Sequence, residues 1–375
     1  MSTDLQRSTD SAPLHVQLAQ IIKKRIQTGE WRSGDVIPTE KELCAMFDVA
    51  RGTVRQALHK LESEGYLRRE RGRGTFVTFG SLPPAARRPA QQHLAFVVPY
   101  VRDSSVSTMF MGFQQAASEA GFSTSFSHVN NDIDQQARKV QALVAEGVSG
   151  IALYPVDSDI VKPLDRLVEN RFPLVLVDRY LKNLTTDFVM TDHFGGAVRG
   201  VRQLLDHGHT QIGFATWLSP AVSMEHRYLG YVTALKERGI TPDERLICTV
   251  EGYPTIDVSP LRALLNRPDR PTAVFTANDQ IAIALYRAAA SLDLQVPYDL
   301  AVIGFDNLDL AEQLDPPLTT VAQPFLEIGR TAASVLLRRI AGEESLQQIT
   351  LSPHLICRAS AVPLHEMRLL SISSD

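Results

Sequence analysis

Basic side chains recur in this chain at spacings that suit contacts with a nucleic acid. Arg51 and Arg55 are four residues apart, so a helix would place them on one face, where guanidinium groups can reach base edges or phosphates. The run Arg71-Gly72-Arg73-Gly74 contains two glycines, which allow a tight turn and let the backbone approach a phosphate. These two stretches are the first candidates for a functional surface.

The residues around these arginines predict a helix-turn-helix followed by a two-stranded ribbon. Thr39 and Glu42 have the spacing of a capping box, which satisfies the first backbone donors of a helix. Apolar residues then recur at helical spacing at Leu43, Phe47, Val49, Val54, Ala57, Leu58 and Leu61. Strand-like runs at 66–70 and 75–79 flank the glycine turn. The order of cap, turn and ribbon favours a winged helix-turn-helix, with one helix in the DNA major groove, over a merely solvated basic helix.

Residues 14–77 resemble the GntR-type winged-helix regulators. Three ordered blocks carry the resemblance: P-T-E-K-E-L at 38–43, R-G-T-V-R-Q-A-L at 51–58 and G-R-G-T-F-V at 72–77. The resemblance implies contacts with double-stranded operator DNA from Lys41, Arg51, Arg55, Arg71, Gly72, Arg73, Gly74 and Thr75. Thr39, Gly52 and Thr53, which lie in the same blocks, are further candidates for DNA contact. Two positions depart from the family pattern. Ala50 replaces a capping serine, which forgoes about 1 kcal/mol of N-cap stabilisation, and Gly52 has no side chain with which to read a base.

The distribution of charge supports a DNA-binding segment attached to a second domain. The chain has 375 residues, enough for two or three domains, and a net charge of −4. Residues 1–92 contain 15 lysines and arginines against 10 aspartates and glutamates, a net charge of +5, and the remainder contains 23 against 32, a net charge of −9. A basic domain joined to an acidic one is the asymmetry expected of a DNA reader that carries a sensor.

Composition also indicates the cellular setting and the domain boundaries. Cys44, Cys248 and Cys357 have no motif spacing, which indicates a reducing compartment and neither a disulfide framework nor a zinc site. Residues 1–13 lack the apolar segment of a secretion signal, and no apolar run reaches transmembrane length, so we expect a cytoplasmic protein. The proline- and alanine-rich stretch 79–92 predicts a linker between a DNA-binding domain at 1–78 and a second domain at 93–362, with a tail at 363–375.

From residue 93 onward, short apolar runs alternate with helical stretches. The strand candidates are 94–99, 150–155, 174–178, 212–216, 272–277 and 300–305, and the helix candidates include 113–120, 134–146, 195–207 and 227–238. This alternation predicts an α/β fold of doubly wound parallel sheets covered on both faces. In such sheets a ligand binds in the crevice beyond the carboxyl ends of the strands.

Polar residues follow most of these strand candidates. Asp178-Arg179, Thr216-Trp217, Asn278-Asp279 and Asp306-Asn307 stand at four strand ends, and Asp103 follows the first strand in a polar run. Carboxylates accept from paired hydroxyls, Arg and Asn complete the network, and an indole ring covers the apolar face of a sugar, so this set suits a neutral polyhydroxyl ligand. For any single residue, the alternative is that it only caps the helix that follows.

The region 93–362 resembles the effector domain of LacI/GalR-type repressors, which is itself similar to periplasmic sugar-binding proteins. The matching blocks lie at 173–179, 192–197, 207–214, 227–235, 271–282, 296–306 and 316–324. The resemblance implies a type I fold of two subdomains, with Asp178, Arg227 and Asp279 as effector contacts and with Arg179, Trp217, Asn278 and Asp306 as further candidates. Asp103 is a candidate because of its position after the first strand. The run 103–106, Asp-Ser-Ser-Val, stands where many relatives place an aromatic segment that stacks on the ligand. A GntR-type reader joined to a LacI-type sensor resembles the arabinose-type repressors.

These patterns predict a transcriptional regulator. The chain has no G-x-S-x-G, H-E-x-x-H or Walker motif, so we expect neither an enzyme nor a cofactor or metal. The expected mechanism is a homodimeric repressor that a monosaccharide releases from its operator. Two alternatives stay open: a corepressor or activator that binds DNA only with its effector, and a sensor of a nucleobase or sugar phosphate.

Overall fold

The structure is a computed structural model that describes residues 13–32, 34–70, 73–78, 92–101, 103–156, 164–219, 221–252 and 255–365. The chain divides into two compact units. The first unit comprises residues 1–91, 134–148 and 161–172, and the second comprises 92–133, 149–160 and 173–375. The predicted linker, apart from Gln92, and most of the predicted tail lie outside the described residues.

The helices and strands of the described residues are numbered in chain order. The helices are α1 (Leu14–Gln27), α2 (Glu40–Phe47), α3 (Arg51–Ser63), α4 (Ser104–Glu119), α5 (Ile133–Glu146), α6 (Leu164–Glu169), α7 (His193–Asp206), α8 (Val222–Glu237), α9 (Ser259–Leu265), α10 (Asp279–Ala290) and α11 (Phe325–Ile340). The strands are β1 (Leu67–Glu70), β2 (Gly74–Val77), β3 (His93–Val98), β4 (Ser123–His128), β5 (Gly150–Leu153), β6 (Leu174–Val177), β7 (Asp187–Thr191), β8 (Ile212–Trp217), β9 (Ile247–Val250), β10 (Ala273–Thr276), β11 (Ala301–Asp306), β12 (Thr319–Ala322), β13 (Gln348–Leu351) and β14 (His354–Ile356).

The first unit contains the predicted helix-turn-helix and ribbon. The capping box is present, because Thr39 Oγ1 accepts from the backbone N–H of Glu42 while the Glu42 carboxylate accepts from the backbone N–H of Thr39 at 2.7 Å. Asp48 ends α2 in the left-handed region at φ 48°, which turns the chain toward α3. Ala50 precedes α3 without a side-chain cap, as its residue type requires.

The core of this unit follows the apolar pattern that the sequence predicted. Of the seven predicted positions, six are buried, and Val49 is half-buried against them. Strands β1 and β2 pair antiparallel, with Leu67 opposite Val77, and Val36 forms a bridge to Phe76 that extends the ribbon. Helices α5 and α6 also belong to this unit, although the sequence placed them in the second domain.

The second unit contains two six-stranded sheets. The strand orders are β13-β7-β6-β5-β3-β4 in the first sheet and β14-β12-β11-β10-β8-β9 in the second. All pairs are parallel except β12 with β14. Strands such as β6, Leu-Val-Leu-Val, are buried along their whole length because helices cover both faces of a parallel sheet. The predicted doubly wound parallel α/β fold is therefore confirmed.

Each sheet with its helices forms one lobe of the second unit, and each lobe contains a close helix crossing. In the lobe of the first sheet, α4 and α11 approach so closely that a Cβ at Gly329 would overlap the carbonyl oxygen of Met109. In the lobe of the second sheet, α7 and α8 meet where a Cβ at Gly230 would come within 2.6 Å of the carbonyl oxygen of Phe194. The chain passes from one sheet to the other after β7, after β12 and after β13. Among the described helices, none is long and apolar enough to cross a membrane.

Candidate functional site

The exposed face of α3 carries the two arginines that the sequence singled out. The side chains of Arg51 and Arg55 are 74% and 64% exposed, and both guanidinium groups lie beside the Glu40 carboxylate, at 3.0 Å and 3.7 Å. Arg69, on β1, reaches the same carboxylate at 2.8 Å. The hydrogen bond from Arg51, together with Arg69 and Arg55, lowers the pKa of Glu40. One acidic side chain thus gathers three basic ones on this face, while Lys41 beside it is exposed.

The ribbon presents further basic groups. The Arg73 side chain is 74% exposed, lies 2.9 Å from the Glu70 carboxylate and passes over the Phe76 ring. Gly74 has φ 124°, which disfavours any other residue, and a Cβ there would lie 3.0 Å from Val36. Thr75 is half-buried and follows Gly74 on β2. Arg71 and Gly72, which the sequence also assigned to DNA contact, lie outside the described residues.

Three other predicted DNA contacts occupy the start of the two helices. The Thr39 hydroxyl is engaged in the cap of α2, where it lies 2.8 Å from Glu42 Oε2. Gly52 is exposed in the first turn of α3, and no atom lies within 4 Å of a Cβ built there. Thr53 is half-buried beside it. Contact between these residues and DNA stays a prediction.

The second unit contains a cavity of about 640 Å³ at the carboxyl ends of strands from both sheets. Seven of the eight predicted effector residues line it: Asp103, Asp178 and Arg179 from the first lobe, and Trp217, Arg227, Asn278 and Asp306 from the second. The eighth predicted residue, Asp279, is not among the lining residues. The cavity thus lies beyond the carboxyl ends of the strands, where the sequence analysis expected a ligand to bind.

The structure corrects the expected position of Asp279. Its carboxylate is fully buried and accepts hydrogen bonds from Thr320 Oγ1 at 2.7 Å and from the backbone N–H of Leu308 at 2.8 Å. Gly304 on β11 makes room for this carboxylate, since a Cβ there would overlap Asp279 Oδ1. Asp279 therefore joins α10 to the strands β11 and β12 and does not face the cavity.

Arg227 and Asp306 form the polar centre of the second lobe. The two side chains make an ion pair at 3.2 Å, and the guanidinium carbon of Arg227 lies 3.8 Å from the centroid of the Phe305 ring. Arg227 also donates to the carbonyl oxygen of Ala277, which fixes its orientation. The sequence predicted that Arg227 begins this helix, and that prediction is wrong. Helix α8 begins at Val222, so Arg227 lies inside it.

Asp306 occupies a strained and weakly solvated position at the end of β11. Its backbone has φ 115°, a conformation that L-residues rarely adopt. Gln323 Nε2 donates to Asp306 Oδ1 at 2.7 Å, and Gln323 in turn accepts from Thr191 Oγ1 at 2.6 Å. Burial raises the pKa of Asp306 well above its usual range; the Arg227 charge opposes this shift and the nearby Asp279 adds to it. A ligand hydroxyl would supply the hydrogen bonding that water no longer provides.

His193 connects the two lobes behind the cavity. Its Nε2 lies 3.1 Å from the carbonyl oxygen of Asp178, and its Nδ1 lies 3.2 Å from an Arg227 nitrogen. Because Arg227 can only donate, Nδ1 is the acceptor and the ring proton is on Nε2. Burial and the repulsion of the Arg227 charge lower the pKa of His193 to about 3, so the ring is neutral. The neutral ring therefore accepts a hydrogen bond from Arg227 and helps to orient it. It carries no positive charge that would compete with Arg227 for the Asp306 carboxylate.

The first lobe contributes a second ion pair, between Asp178 and Arg179. The Asp178 carboxylate lies 3.6 Å from Arg179 Nε, and Arg179 also donates to the Tyr154 hydroxyl at 2.9 Å while lying over the Tyr154 ring. Both residues of the pair are more than nine-tenths buried. Asp178 adopts φ 66°, so the backbone turns sharply at the end of β6. The pair is thus held rigidly at the cavity wall.

Two predicted residues line the cavity and cap a helix as well. Asp103 accepts from the backbone N–H of Ser105 at the start of α4 and from Gln280 Nε2 at 2.7 Å. Asn278 Oδ1 accepts from the backbone N–H of Ile281 at the start of α10. For these residues the helix-cap alternative is correct as a description of local structure, and both residues line the cavity as well.

Four residues outside the eight effector candidates also belong to the cavity or its support. Ser223, His193, Gln323 and Tyr154 each line or support the cavity. Within the described part of the chain, Arg179 Nε and Ser223 Oγ are buried without a hydrogen-bond partner. Buried polar atoms are normally paired, so both mark places where a bound molecule would complete the bonding. Ser223 lies in no matching block and follows no strand candidate, so no sequence signal pointed to it. His193 and Gln323 lie in the blocks at 192–197 and 316–324, which are the signal that could have found them.

The arrangement is suited to binding. Four carboxylates, two guanidinium groups, amides, hydroxyls and aromatic rings converge on one space, which is the pattern of a site for a polar small molecule. No cluster of three or more His, Cys, Asp or Glu able to hold a metal occurs among the described residues.

Comparison with known proteins identifies the family. Residues 14–77 match the model of bacterial regulatory proteins of the gntR family, and residues 201–361 match the periplasmic binding protein-like domain. The arabinose metabolism transcriptional repressor of Geobacillus stearothermophilus is 30% identical over 367 residues, which cover 93% of this chain and 97% of that repressor. The chain belongs to the gntR family of regulators that carry a periplasmic binding protein-like domain.

Other relatives of this gntR-family regulator match about 70% of the chain. The ribose operon repressor of Escherichia coli K12 is 31% identical over 259 residues, which cover 68% of this chain and 78% of that repressor. The structure of a LacI family transcriptional regulator from Enterococcus faecium with bound ribose is similar at TM-score 0.64 and 26% identity, and covers 72% of this chain and 99% of that chain. The predicted resemblance to both families is confirmed, and the regulator is not an enzyme.

Proposed function

We propose that this regulator is a sugar-responsive repressor that leaves its operator when a monosaccharide binds in the cavity. The observation that carries the proposal is the convergence of Arg227 with Asp306 from one lobe and Asp178 with Arg179 from the other on one space. A molecule that bonds to both pairs favours a closed arrangement of the lobes. Closure can change operator affinity only as far as the ligand binds one arrangement better than the other.

The chemistry of the cavity favours a neutral polyhydroxyl ligand. Asp306 and Asp178 accept from adjacent hydroxyls, and Arg179 Nε and Ser223 Oγ, which have no hydrogen-bond partner among the described residues, can bond to ring or hydroxyl oxygens. Trp217 provides an apolar face for the C–H side of a sugar ring. The relatives named for arabinose metabolism and the ribose operon, and the structural neighbour with bound ribose, support a pentose in particular.

We further propose that the protein acts in the cytoplasm as a homodimer on a near-palindromic operator. A single winged helix reads only a few base pairs, and two copies related by a twofold axis read a longer, symmetric site. The net positive charge of residues 1–92 favours binding to DNA, while the net negative charge of the remaining residues disfavours it. Sedimentation of the full chain with and without operator would show a dimer if this is correct.

The test combines two measurements on the full-length protein. Calorimetry against L-arabinose, D-ribose, hexoses and purines identifies a binding sugar, and fluorescence anisotropy gives the affinity for an operator selected from a random DNA pool. Asp306→Asn should weaken sugar binding at least about tenfold, because a charge-assisted hydrogen bond is lost, and should leave operator binding unchanged. Asp309→Asn, three residues away and exposed, is the matched control. A sugar that strengthens operator binding would instead establish a corepressor.

The DNA face has its own test. Arg51→Ala and Arg55→Ala should each weaken operator binding by about 1–3 kcal/mol if they reach base edges, with sugar affinity unchanged. Lys60→Ala removes an exposed charge from the far end of the same helix and should have a smaller effect. Equal affinities for all three variants and the wild type would exclude α3 as the recognition helix.

A further inference from the structure

A compact polar cluster joins the winged helix to helix α5 within the first unit. Lys23, on α1, donates to Asp134 Oδ2 at 2.9 Å, and the Tyr66 hydroxyl donates to Asp134 Oδ1 at 3.1 Å. Both oxygens of one carboxylate are therefore engaged by the DNA-binding segment. Lys23 Nζ also lies 3.5 Å from Glu64 and 4.6 Å from the centroid of the Tyr66 ring.

The cluster is better ordered than an ordinary surface ion pair. The Tyr66 ring is 1% exposed and belongs to the core of the winged helix, so its hydroxyl has a fixed position. Burial opposes the charge of Lys23, yet its hydrogen bonds with Asp134 and Tyr66 raise its pKa. Because the buried Tyr66 ring and the charged Lys23 ammonium donate to different oxygens of one carboxylate, the contact specifies a direction as well as a distance.

Asp134 directly follows a loop that lines the effector cavity. Asn131 and Ile133 are cavity-lining residues of the second unit. The loop is held to the end of β3, since the backbone N–H groups of Val129 and Asn131 donate to Val98 and Pro99 at 3.1 Å and 2.6 Å. Asn131 has φ 56°, so the chain turns sharply before α5 begins. Only one peptide bond separates the cavity residue Ile133 from the carboxylate that Lys23 and Tyr66 bind.

We propose that Asp134 couples the effector cavity to the winged helix: a sugar that contacts the loop at 131–133 shifts the start of α5 and thereby the Lys23–Asp134–Tyr66 contact. The inference rests on the proposed function and adds the route by which the cavity controls the operator. Asp134 is a positioning residue that touches neither sugar nor DNA. Loss of the contact removes the coupling and leaves both binding sites intact.

The first test needs neither sugar nor operator. Hydrogen exchange of the full-length protein is compared among the wild type, Asp134→Asn and Tyr66→Phe, with Glu146→Gln as an exposed control at the far end of α5. Both contact variants should raise exchange at least about threefold in residues 129–136 and in the segment around β1, and the control should not. Tyr66→Phe keeps the buried ring and leaves α5 unaltered. An effect of Asp134→Asn alone would therefore reflect only the helix start and would overturn the proposal.

The second test measures the coupling itself. For each variant, the operator affinity is measured with and without saturating L-arabinose or D-ribose, and the sugar affinity is measured separately by calorimetry. In both contact variants the sugar should bind as in the wild type, but its effect on operator affinity should fall at least about fivefold. A wild-type response in both variants overturns the proposal. If none of these sugars alters operator binding by the wild type, the proposed function fails, and the hydrogen-exchange comparison still decides whether the contact couples the loop to the winged helix.

Discussion

At the scale of single residues, Asp279 and Asp306 show how two buried carboxylates can have different roles. Asp306 is the last residue of β11 and Asp279 is the first residue of α10, after β10; burial raises the pKa of each. Asp306 faces the cavity beside Arg227, whereas Asp279 accepts from Thr320 and the backbone of Leu308. The difference lies in what each carboxylate bonds to.

This difference predicts opposite results for two substitutions. Asp279→Ala should lower the free energy of unfolding by about 2 kcal/mol or more, because the Thr320 hydroxyl and the Leu308 amide lose their acceptor. Its sugar affinity should stay within about threefold of the wild type, because Asp279 is not among the described residues that line the cavity. Denaturant unfolding and calorimetry on the same preparations measure both quantities. A stable Asp279→Ala protein that no longer binds sugar would restore Asp279 to the cavity.

His193 predicts a pH dependence of stability. Its pKa is about 3 in the folded protein and about 6.5 when unperturbed, so the unfolded chain takes up a proton below pH 6.5 and the folded one does not. Stability from this group is complete above pH 6.5 and is lost as the pH falls toward 3. The wild type should lose about 2 kcal/mol more than His193→Gln between pH 6.5 and pH 5, since one pKa unit corresponds to about 1.4 kcal/mol.

Glutamine suits this comparison because it keeps one donor and one acceptor and does not titrate. Urea unfolding followed by Trp217 fluorescence, with Trp31→Phe in both proteins so that one tryptophan remains, reports on the domain that contains His193. The difference between the two proteins removes the contribution of the other acids and histidines. Parallel pH profiles for the wild type and the variant would show that the ring is not held neutral.

At the scale of elements, two glycines of the winged helix differ only in backbone conformation. No atom lies within 4 Å of a Cβ built at either Gly52 or Gly65, but Gly65 has φ 76° and Gly52 lies in the first turn of α3. A methyl group is therefore accommodated in space at both positions. The backbone decides whether it stabilises the domain.

Gly52→Ala should raise the stability of the winged helix by about 0.5–1 kcal/mol, because alanine restricts the unfolded chain and favours the helix. Gly65→Ala should lower it by about 1–2 kcal/mol, because an L-residue is strained in the left-handed region. Thermal unfolding monitored at Trp31, which packs against the core of this domain, measures both. Destabilisation by Gly52→Ala would mean that α3 does not begin at Arg51.

At the scale of the whole molecule, the sequence predicts that the effector domain can be separated. The proline-rich stretch 79–92 should be the preferred site of limited proteolysis, and the released fragment should dimerise and bind sugar with an affinity within about threefold of the full chain. Each lobe of the second unit has its own buried cluster, which supports independent folding. Mass spectrometry, sedimentation and calorimetry of the fragment provide the check. A monomeric fragment would place the dimer contact in the winged helix.

The elements that the sequence predicted well are those whose signal is local. The capping box of Thr39 and Glu42 spans one helical turn, and the β6 run Leu-Val-Leu-Val has no plausible place except a buried strand. Six strands were missed: β4, β7, β9, β12, β13 and β14. Strands such as β4, Ser-Thr-Ser-Phe-Ser-His, are polar and half-exposed at a sheet edge, where pairing with a neighbour and not apolar pattern defines the strand.

The sequence by itself therefore determined the family, the order of the two domains and the strand ends at which a ligand would bind, since these depend on neighbouring residues and on motif order. Only the tertiary structure decided which polar groups meet. Gly304 and Thr320 enclose Asp279, Gln323 orients Asp306, and Lys23 reaches Asp134 across more than a hundred residues of chain. Such contacts are set by the packing of distant elements, and no local pattern in the chain encodes them.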